Sequence, residues 1–446
     1  MTVVTLAGRR PPHIGDRALA ALALLLSVPA GIALGLVLYR FPPPLALAVV
    51  GGAGLVGVLM LALARTHAAV ALGFALLGVV LVDPAPSDGV FVVVMAVTLL
   101  GRRVVMGDVP RSIPIILAVY AALSVMSALQ VTDPVRAAVF FGTTVYLALF
   151  ALWLPGYVVS ENRARLVVRA YLFAAAASAV LGVLAVLGAV PGAAVLSENG
   201  RARALFQDPN VFGPFLVPAA LILAEDIVRP RLLPGRRALK ALLLGVLLVG
   251  VLFSYSRGAW LNVAVGLGAM GVFLALRGGV RQALALAGVA VAAALVIAGA
   301  VAVTGTYDFL LERARPQTYD TDRFSGQRAG IAPATEYPLG AGPGQFESLA
   351  GISAHSTYAR ALGEQGFPGL AALIALFGAT LVIAARNAAR GRDTHLIGAA
   401  ALLGAWCGLL ANSAFIDTLH WRHLWVVAAL VWAGAMLPAR RASRGG

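Results

Sequence analysis

QALALAGVAVAAALVIAGAVAV, residues 282–303, is a run of 22 residues without one charged side chain. An α-helix needs about 20 mostly apolar residues to cross the hydrocarbon core of a bilayer, so this run predicts a transmembrane helix. Residues 304–366, which follow it, carry several arginines, a glycine-rich turn and His355 before the chain becomes apolar again. Connections this long are usually functional or disordered, and this mixture of cations, aromatic residues and glycines favours a functional loop.

The composition of the whole chain is that of a membrane protein. Of its 446 residues, 60% are hydrophobic and 12% are charged, whereas soluble domains are about half apolar and a quarter charged. The net charge of +15 would suit a nucleic-acid partner, but the basic residues stand in short clusters between apolar runs, as the positive-inside rule requires. We therefore exclude a nucleic-acid-binding function. The single cysteine, Cys407, excludes an intrachain disulfide.

Apolar runs of this kind fill most of the chain. The 14 candidate spans are residues 18–39, 43–64, 67–83, 89–101, 113–129, 137–159, 166–190, 211–228, 238–255, 258–276, 282–303, 366–386, 395–413 and 420–437. The third and fourth are short and are compatible with one broken pair, which makes 12 the alternative count. We predict an all-α polytopic membrane protein, a bundle of about 12–14 transmembrane helices.

The distribution of charge predicts the topology. If the N-terminus is cytoplasmic, every cytoplasmic loop is basic, from Arg65 to Arg444, and short outer connections such as 83–88 are acidic or neutral. This pattern predicts a multi-pass membrane protein with both termini in the cytoplasm. We divide the chain into a transmembrane bundle (1–303), a loop domain on the outer face (304–366), and the C-terminal helices with a basic cytoplasmic tail (367–446).

Several arginines on the predicted outer face are exceptions to this rule. They are Arg201, Arg203, Arg257, Arg313, Arg315, Arg323, Arg328, Arg360 and Arg422. Two are of special interest. Arg201 precedes Asp208-Pro209-Asn210, a predicted turn and helix N-cap whose helix start suits an anion. Arg257 stands between two apolar runs, where a planar guanidinium can bind phosphate oxygens in pairs. For both, contact with lipid headgroups is the alternative.

The loop adds a candidate base and a glycine turn. His355 precedes an apolar run, and an unperturbed histidine titrates near pH 6.5, which suits a general base; an incidental histidine is the alternative. Residues 338–346, PLGAGPGQF, predict a tight turn in which glycine lets the backbone approach a ligand, or a plain connector. No metal motif is visible, and we expect neither a metal nor a cofactor. The spans hold almost no ionisable groups, which argues against a proton-coupled transporter.

Together these pieces resemble the O-antigen ligase / O-antigen polymerase superfamily, bacterial lipid-linked glycan glycosyltransferases with a GT-C-like membrane fold. The residues that carry the resemblance are Arg201 with 205–213, 256–261, Arg328 with 338–346, and 355–358 with 364–370. The chain differs from the family in having Ser356 where many relatives have asparagine. It also has Gly330-Ile331 where the family has tryptophan, and a short interval from Arg328 to His355.

The resemblance implies a function. Such proteins transfer a glycan from undecaprenyl pyrophosphate to an acceptor hydroxyl at the periplasmic face, without a metal. By resemblance, His355 is the catalytic base or positions the acceptor, and the pyrophosphate is bound by arginines. The candidates are Arg257, Arg328, Arg201, Arg323 and Arg203, with Arg313, Tyr358 and Asn210 as further candidates. The differences noted above leave Arg323 and Arg313 as replacements for Arg328.

Ligase and polymerase activity remain open at this point. An O-antigen ligase with a lipid A-core or similar acceptor, in lipopolysaccharide biosynthesis, is our first hypothesis. A polymerase that joins polysaccharide repeat units, whose acceptor is another lipid-linked glycan, is the alternative. Protein O-glycosylation is a further enzymatic option, and a flippase or transporter of lipid-linked glycan is the rival from another class.

Overall fold

In a computed structural model, residues 43–104, 108–315 and 318–437 of the chain are described. The predicted span 18–39 and the basic tail lie outside them. The helices in chain order are α1 (Pro43–Ala64), α2 (Thr66–Ala75), α3 (Pro86–Leu100), α4 (Ser112–Ser127), α5 (Pro134–Tyr157), α6 (Glu161–Val186), α7 (Ala193–Leu196), α8 (Pro209–Val228), α9 (Arg237–Phe253), α10 (Arg257–Gly278), α11 (Val280–Thr304), α12 (Tyr307–Ala314), α13 (Thr318–Ala329), α14 (Ile331–Glu336), α15 (Phe346–Ala350), α16 (Thr357–Arg390), α17 (Ala399–Ser413) and α18 (Arg422–Ala435). Single 3-10 turns follow α2 and α4, and a two-stranded hairpin pairs β1 (Ser197–Glu198) with β2 (Arg201–Ala202).

The predicted all-α polytopic membrane fold is confirmed. Seven helices of the described part are long and apolar enough to cross a membrane, and five shorter apolar helices accompany them. The regions predicted as spans three and four are indeed short, a ten-residue helix with a 3-10 turn and a 15-residue helix. The total helix count stays a prediction, because span 18–39 lies outside the described residues.

One predicted boundary is wrong in a way that matters for the site. The apolar run after the long loop was expected to begin near residue 366, but α16 begins at Thr357 and runs through a break at Gly366, where φ is 67° and ψ is −168°. Hydropathy missed the first turns because they carry Arg360 and Glu364. The rest of the loop is also folded, into the four short helices α12–α15 and the glycine turn 338–344.

The bundle has a buried centre and one loosely held outer helix. α8 is the most enclosed long helix, with 83% of its apolar window buried, whereas only 11% of the corresponding window of α11 is buried. A helix that exposes nearly all of its apolar surface needs lipid around it. α11 therefore lies at the lipid-facing edge of the bundle, and α8 forms its core.

The closest helix pair is α10 with α17, which run antiparallel. Gly258 faces Asn412, Asn262 faces Gly408, and Gly266 faces Gly404, so that small residues alternate with asparagines along the contact. A Cβ atom on Gly258, Gly404 or Gly408 would overlap the facing residue, and one on Gly266 would overlap Leu221. Small residues let membrane helices approach closely, and this contact fixes the position of Arg257, at the start of α10, relative to the end of α17.

The connections between helices gather at two ends of the bundle. Residues 304–356 lie at one, which we call the loop end. At the other, which we call the basic end, the Arg165 Nε atom donates a hydrogen bond to Leu232 O (3.1 Å) and Arg277 Nη1 donates to Ala388 O (2.8 Å). Arg231 also pairs with Asp393, so these contacts bring together four basic connections of the described residues, 158–165, 229–236, 277–281 and 386–398. Which end faces the periplasm stays a prediction.

The glycine turn 338–344 is bound to the break in α16. Because Gly366 is not helical, carbonyl groups before it lose their intrahelical partners. The N–H groups of Ala341 and Gly342 donate to the carbonyl oxygens of Gly363 (3.0 Å) and Glu364 (2.9 Å) in their place. The sequence left open whether the turn approaches a ligand or only connects two elements. In the structure, the backbone of the turn approaches α16.

Two glycines make that approach sterically feasible. A Cβ atom on Gly340 would overlap Glu364 O, and one on Gly366 would overlap Pro338 O. Both residues also have positive φ, 87° and 67°, a region that costs other residues energy. The turn and the broken helix therefore form one unit, which we call the clasp: residues 338–344 with 363–366.

We predict that Gly366→Ala lowers the melting temperature of the purified protein in detergent much more than Gly351→Ala. Gly351 has nearly the same φ, 65°, but no atom lies within 4 Å of the position of an added Cβ. Gly351 (ψ 4°) lies in the left-handed region, where alanine costs about 1–2 kcal/mol. Gly366 (ψ −168°) lies in a region that almost only glycine adopts, and Gly366→Ala adds the overlap with Pro338 O. Equal decreases in melting temperature for the two variants would contradict the close contact between the turn and the broken helix.

Candidate active site

Arg201 is held at the loop end by two contacts that reach different helices. Its Nε atom donates to Ser254 O (3.0 Å), just after α9, and its Nη2 atom donates to the Oδ1 atom of Asn210 (2.9 Å), in the first turn of α8. Asp208 is the N-cap of α8, as predicted, and accepts from the N–H of Asn210 (2.7 Å). Asn210 therefore orients Arg201, which lies beside the corner between α9 and α10.

Arg257 lies at the same corner. It is the first residue of α10, and Ser256, the N-cap, accepts a hydrogen bond from the N–H of Ala259 (3.3 Å). Only Tyr255 and Ser256 separate Arg257 from Ser254, the residue that Arg201 contacts. Two guanidinium groups thus flank one short turn at the start of a helix, where the unpaired N–H groups favour an anion.

The first loop helix, α12, is docked onto this corner. Phe309 packs edge to face against Tyr255, with ring centroids 4.5 Å apart, and the Nη1 atom of Arg257 donates to Arg315 O (3.3 Å) after the end of α12. Burial raises the pKa of Tyr255, which keeps its ring neutral under the loop. Arg313 lies in the last turn of α12, two residues before Arg315, whose carbonyl Arg257 contacts.

His355 lies at the start of α16. It has a positive φ of 45°, and its carbonyl accepts a hydrogen bond from Gln327 Nε2 (3.2 Å), which also donates to Ala414 O (3.0 Å). Ser356, the N-cap of α16, donates to Ser413 O (3.5 Å). Gln327 of α13 and the end of α17 thus fix the backbone around a half-buried histidine.

The turns before α10 and α16 share an unusual geometry. Tyr255 (φ 46°) and His355 (φ 45°) each precede a serine N-cap. Positive φ is uncommon outside glycine and is often found at functional sites. Because Gly258 contacts Asn412, and Ser413 accepts from Ser356, the end of α17 joins these two helix starts into one surface.

His420, another histidine at the loop end, is enclosed. It lies 2.9 Å from the Oγ1 atom of Thr144, and its ring packs on Phe140 at 4.2 Å. Burial lowers the pKa of His420 to about 4, so its imidazole is neutral near pH 7. His355 and His420 are both half-buried.

The other predicted site residues differ in exposure and in the groups that they contact. Arg328 is exposed on α13. Arg203 is directed to its own hairpin, donating to Val195 O and Gln207 O, both at 3.1 Å. The Tyr358 hydroxyl donates to Leu410 O (3.2 Å), between α16 and α17. The side chain of Arg323 lies outside the described part of the chain.

Arg360 and Arg422, the remaining exceptions to the charge rule, are explained by carboxylates. Arg360 is surrounded by Glu347, Glu364 (2.8 Å) and Asp417 (2.6 Å). Arg422 contacts Asp88 (2.5 Å) and Asp83 (3.0 Å). Buried charges are normally paired in this way. The sequence does not show these pairs, because each arginine and most of its partners are far apart along the chain.

Arg360 joins the clasp to the rest of the loop end. Its carboxylate partners come from α15, from α16 before the break, and from the turn after α17. Its guanidinium also lies 5.3 Å from the ring centre of Phe140 on α5. Within residues 43–104, 108–315 and 318–437, no three His, Cys, Asp or Glu side chains are grouped as metal ligands.

Part of the chain that forms this site is similar to a known protein family. Residues 241–374 match the model of the O-antigen ligase family. This confirms the resemblance to the ligase and polymerase superfamily, and the matched segment contains Arg257, the long loop and His355. Arg201 and Asn210 lie before it. No curated protein matches the chain.

We predict that Arg360→Met lowers the melting temperature strongly, whereas Arg136→Met has little effect. Both arginines pair with Glu347, but the side chain of Arg360 is 9% exposed and that of Arg136 is 46% exposed. Breaking a buried pair costs about 3–5 kcal/mol, while a surface pair contributes about 0–1 kcal/mol. The measurement is thermal unfolding in detergent. Similar decreases in melting temperature for the two variants would show that the ion pairs of Arg360 do not stabilise the protein as buried pairs do.

Proposed function

We propose that this protein transfers a glycan from undecaprenyl pyrophosphate to an acceptor hydroxyl. It acts as an O-antigen ligase at the periplasmic face of the bacterial inner membrane, with both termini in the cytoplasm. The observation that carries the proposal is the arrangement at the loop end. Arg201 and Arg257 flank the turn before α10, and His355 precedes α16, which the end of α17 connects to that turn.

The arrangement of charges suits a pyrophosphate leaving group. As the glycosidic bond breaks, negative charge grows on the diphosphate, and guanidinium groups already fixed in place stabilise that charge without reorganising. Arg201 and Arg257 supply the charge at the start of α10, whose unpaired N–H groups add to it. The docked α12 adds Arg313, which we propose in place of the exposed Arg328.

His355 takes the part of general base. A positioned base that removes the proton of the acceptor hydroxyl contributes about 10²–10⁴-fold to the rate. The hydroxyl oxygen then attacks the anomeric carbon, and the bond from that carbon to the diphosphate oxygen breaks. Direct displacement inverts the anomeric centre, and no metal takes part in this sequence.

Membrane placement follows from charge. Because the four basic connections named above share one end, the positive-inside rule puts that end in the cytoplasm and the loop end in the periplasm. Residues 304–366 then form the periplasmic part between two membrane portions. Polymerase activity differs only in the acceptor, which would be a second lipid-linked glycan.

The test is transfer by purified protein, with undecaprenyl-pyrophosphate glycan, candidate acceptors and EDTA. We predict that His355→Ala lowers transfer by at least about 10²-fold, and that Arg257→Ala lowers it comparably, while both variants keep the wild-type melting temperature. Arg136→Ala, which removes an exposed arginine at the same end, is the matched control and keeps activity.

Each outcome of the transfer assay has a defined meaning. Transfer to a lipid A-core type acceptor supports a ligase, and a ladder of products on lipid-linked acceptors supports a polymerase. Normal transfer by His355→Ala would remove the histidine from the mechanism, and a product with the anomeric configuration of the donor would exclude direct displacement. Movement of lipid-linked glycan across vesicles without transfer would make the protein a flippase.

A further inference from the structure

The helix α13 lies directly against the turn that carries His355. A Cβ atom on Gly326 would overlap the carbonyl oxygen of Ser353, and one on Gly330, just after the end of α13, would lie 2.8 Å from the carbonyl oxygen of Ala359. Both glycines are buried, and glycine lets one backbone approach another closely. The chain around α13 therefore contacts the turn on both sides of His355.

Gln327, next to Gly326 on α13, connects this helix to two others. Its Nε2 atom donates hydrogen bonds to His355 O (3.2 Å) and to Ala414 O (3.0 Å). A side-chain amide has two donor hydrogens, one for each of these carbonyl groups. His355 precedes the N-cap of α16, and Ala414 is the C-cap of α17. A single side chain thus joins α13 to the start of α16 and to the end of α17.

The backbone of His355 needs contacts of this kind. Its φ of 45° lies in the left-handed region, which costs residues other than glycine energy and persists only when the surrounding structure holds it. Gln327 holds the carbonyl of His355, and the hydroxyl of the next residue, Ser356, donates to Ser413 O (3.5 Å). Backbone angles decide which side-chain rotamers are allowed. A contact that holds this backbone therefore also orients the imidazole.

The same amide relates this turn to the arginine corner. Ala414 comes two residues after Asn412, which faces Gly258 in the first turn of α10. Arg257 is the first residue of that helix. Gln327 therefore links the proposed base to the helix pair that carries a proposed pyrophosphate ligand.

We propose that Gln327 is a positioning residue for the transfer reaction, because its amide joins the backbone of His355 to the end of α17. The proposal rests on the function proposed above and adds a residue that acts through the base. Gln327 keeps His355 in its left-handed conformation and at a fixed place relative to α17. Methionine has a side chain of similar length without a donor hydrogen, so Gln327→Met removes both contacts with little change in volume.

The first test measures whether Gln327 holds the turn, and it does not depend on activity. The N–H of Ala359 donates to Ser356 Oγ (3.3 Å) and that of Arg360 donates to Ser356 O (3.0 Å), so hydrogen exchange at these two amides reports on the turn. We expect Gln327→Met to speed this exchange about tenfold, because two hydrogen bonds are lost. The measurement is mass spectrometry of the purified protein in detergent.

The matched control is Gln130→Met, which changes an exposed glutamine in the connection between α4 and α5. This control should exchange at the wild-type rate. Wild-type exchange in a folded Gln327→Met variant would overturn the proposal. A large decrease in the melting temperature of Gln327→Met would also overturn it, since the contact would then serve the fold as a whole.

The second test uses transfer kinetics. We expect Gln327→Met to lower kcat about 10²-fold, because a reacting group displaced by about 1 Å can cost that much, and to leave the KM for the donor unchanged. In the His355→Ala background the same substitution should have no further effect, because no imidazole remains to be positioned. A full effect in that background, or a change confined to KM, would overturn the proposal.

Failure of the proposed function is distinguishable from failure of this proposal. A wild type that transfers glycan to no acceptor would contradict the proposed function. Exchange at the amides of Ala359 and Arg360 would still decide whether Gln327 holds the turn.

Discussion

The break of α16 at Gly366 is the constraint on which the loop end depends. A membrane helix that breaks must satisfy the backbone groups it frees, because hydrocarbon offers no hydrogen bonds. Here Ala341 and Gly342 donate to the freed carbonyls, which is feasible only because glycine occupies both facing positions, 340 and 366. The clasp divides a 34-residue helix into a long apolar segment and a short segment at the loop end, with His355 just before its start.

The charges of the loop end follow from that division. Arg360, on the segment before the break, is enclosed by three carboxylates and two aromatic rings, so its charge is already balanced within the protein. Arg201 is anchored to the carbonyl oxygen of Ser254 and to the Oδ1 atom of Asn210, which fixes its guanidinium beside the corner between α9 and α10.

Most of the fold was predictable because apolar runs of the right length depend on the bilayer and not on a partner segment. The start of α16 was predicted too late, since hydropathy measures polarity and cannot register a helix that continues through polar turns. The sequence did not distinguish Arg360 from Arg257, because Glu347, Glu364 and Asp417 come together around Arg360 only in the folded chain. The sequence also gave no indication of the role of Gln327, which donates hydrogen bonds to His355 O and Ala414 O. The helix cap at Asp208 was readable because capping is local.

The most direct measurement is a cryo-electron microscopy structure of the protein in lipid nanodiscs with undecaprenyl pyrophosphate bound. The account predicts diphosphate density at the corner between α9 and α10, in contact with the guanidinium of Arg201 or Arg257 and on the side of α12 that carries Arg313. Diphosphate density beside the exposed Arg328, or at the basic end of the bundle, would contradict it.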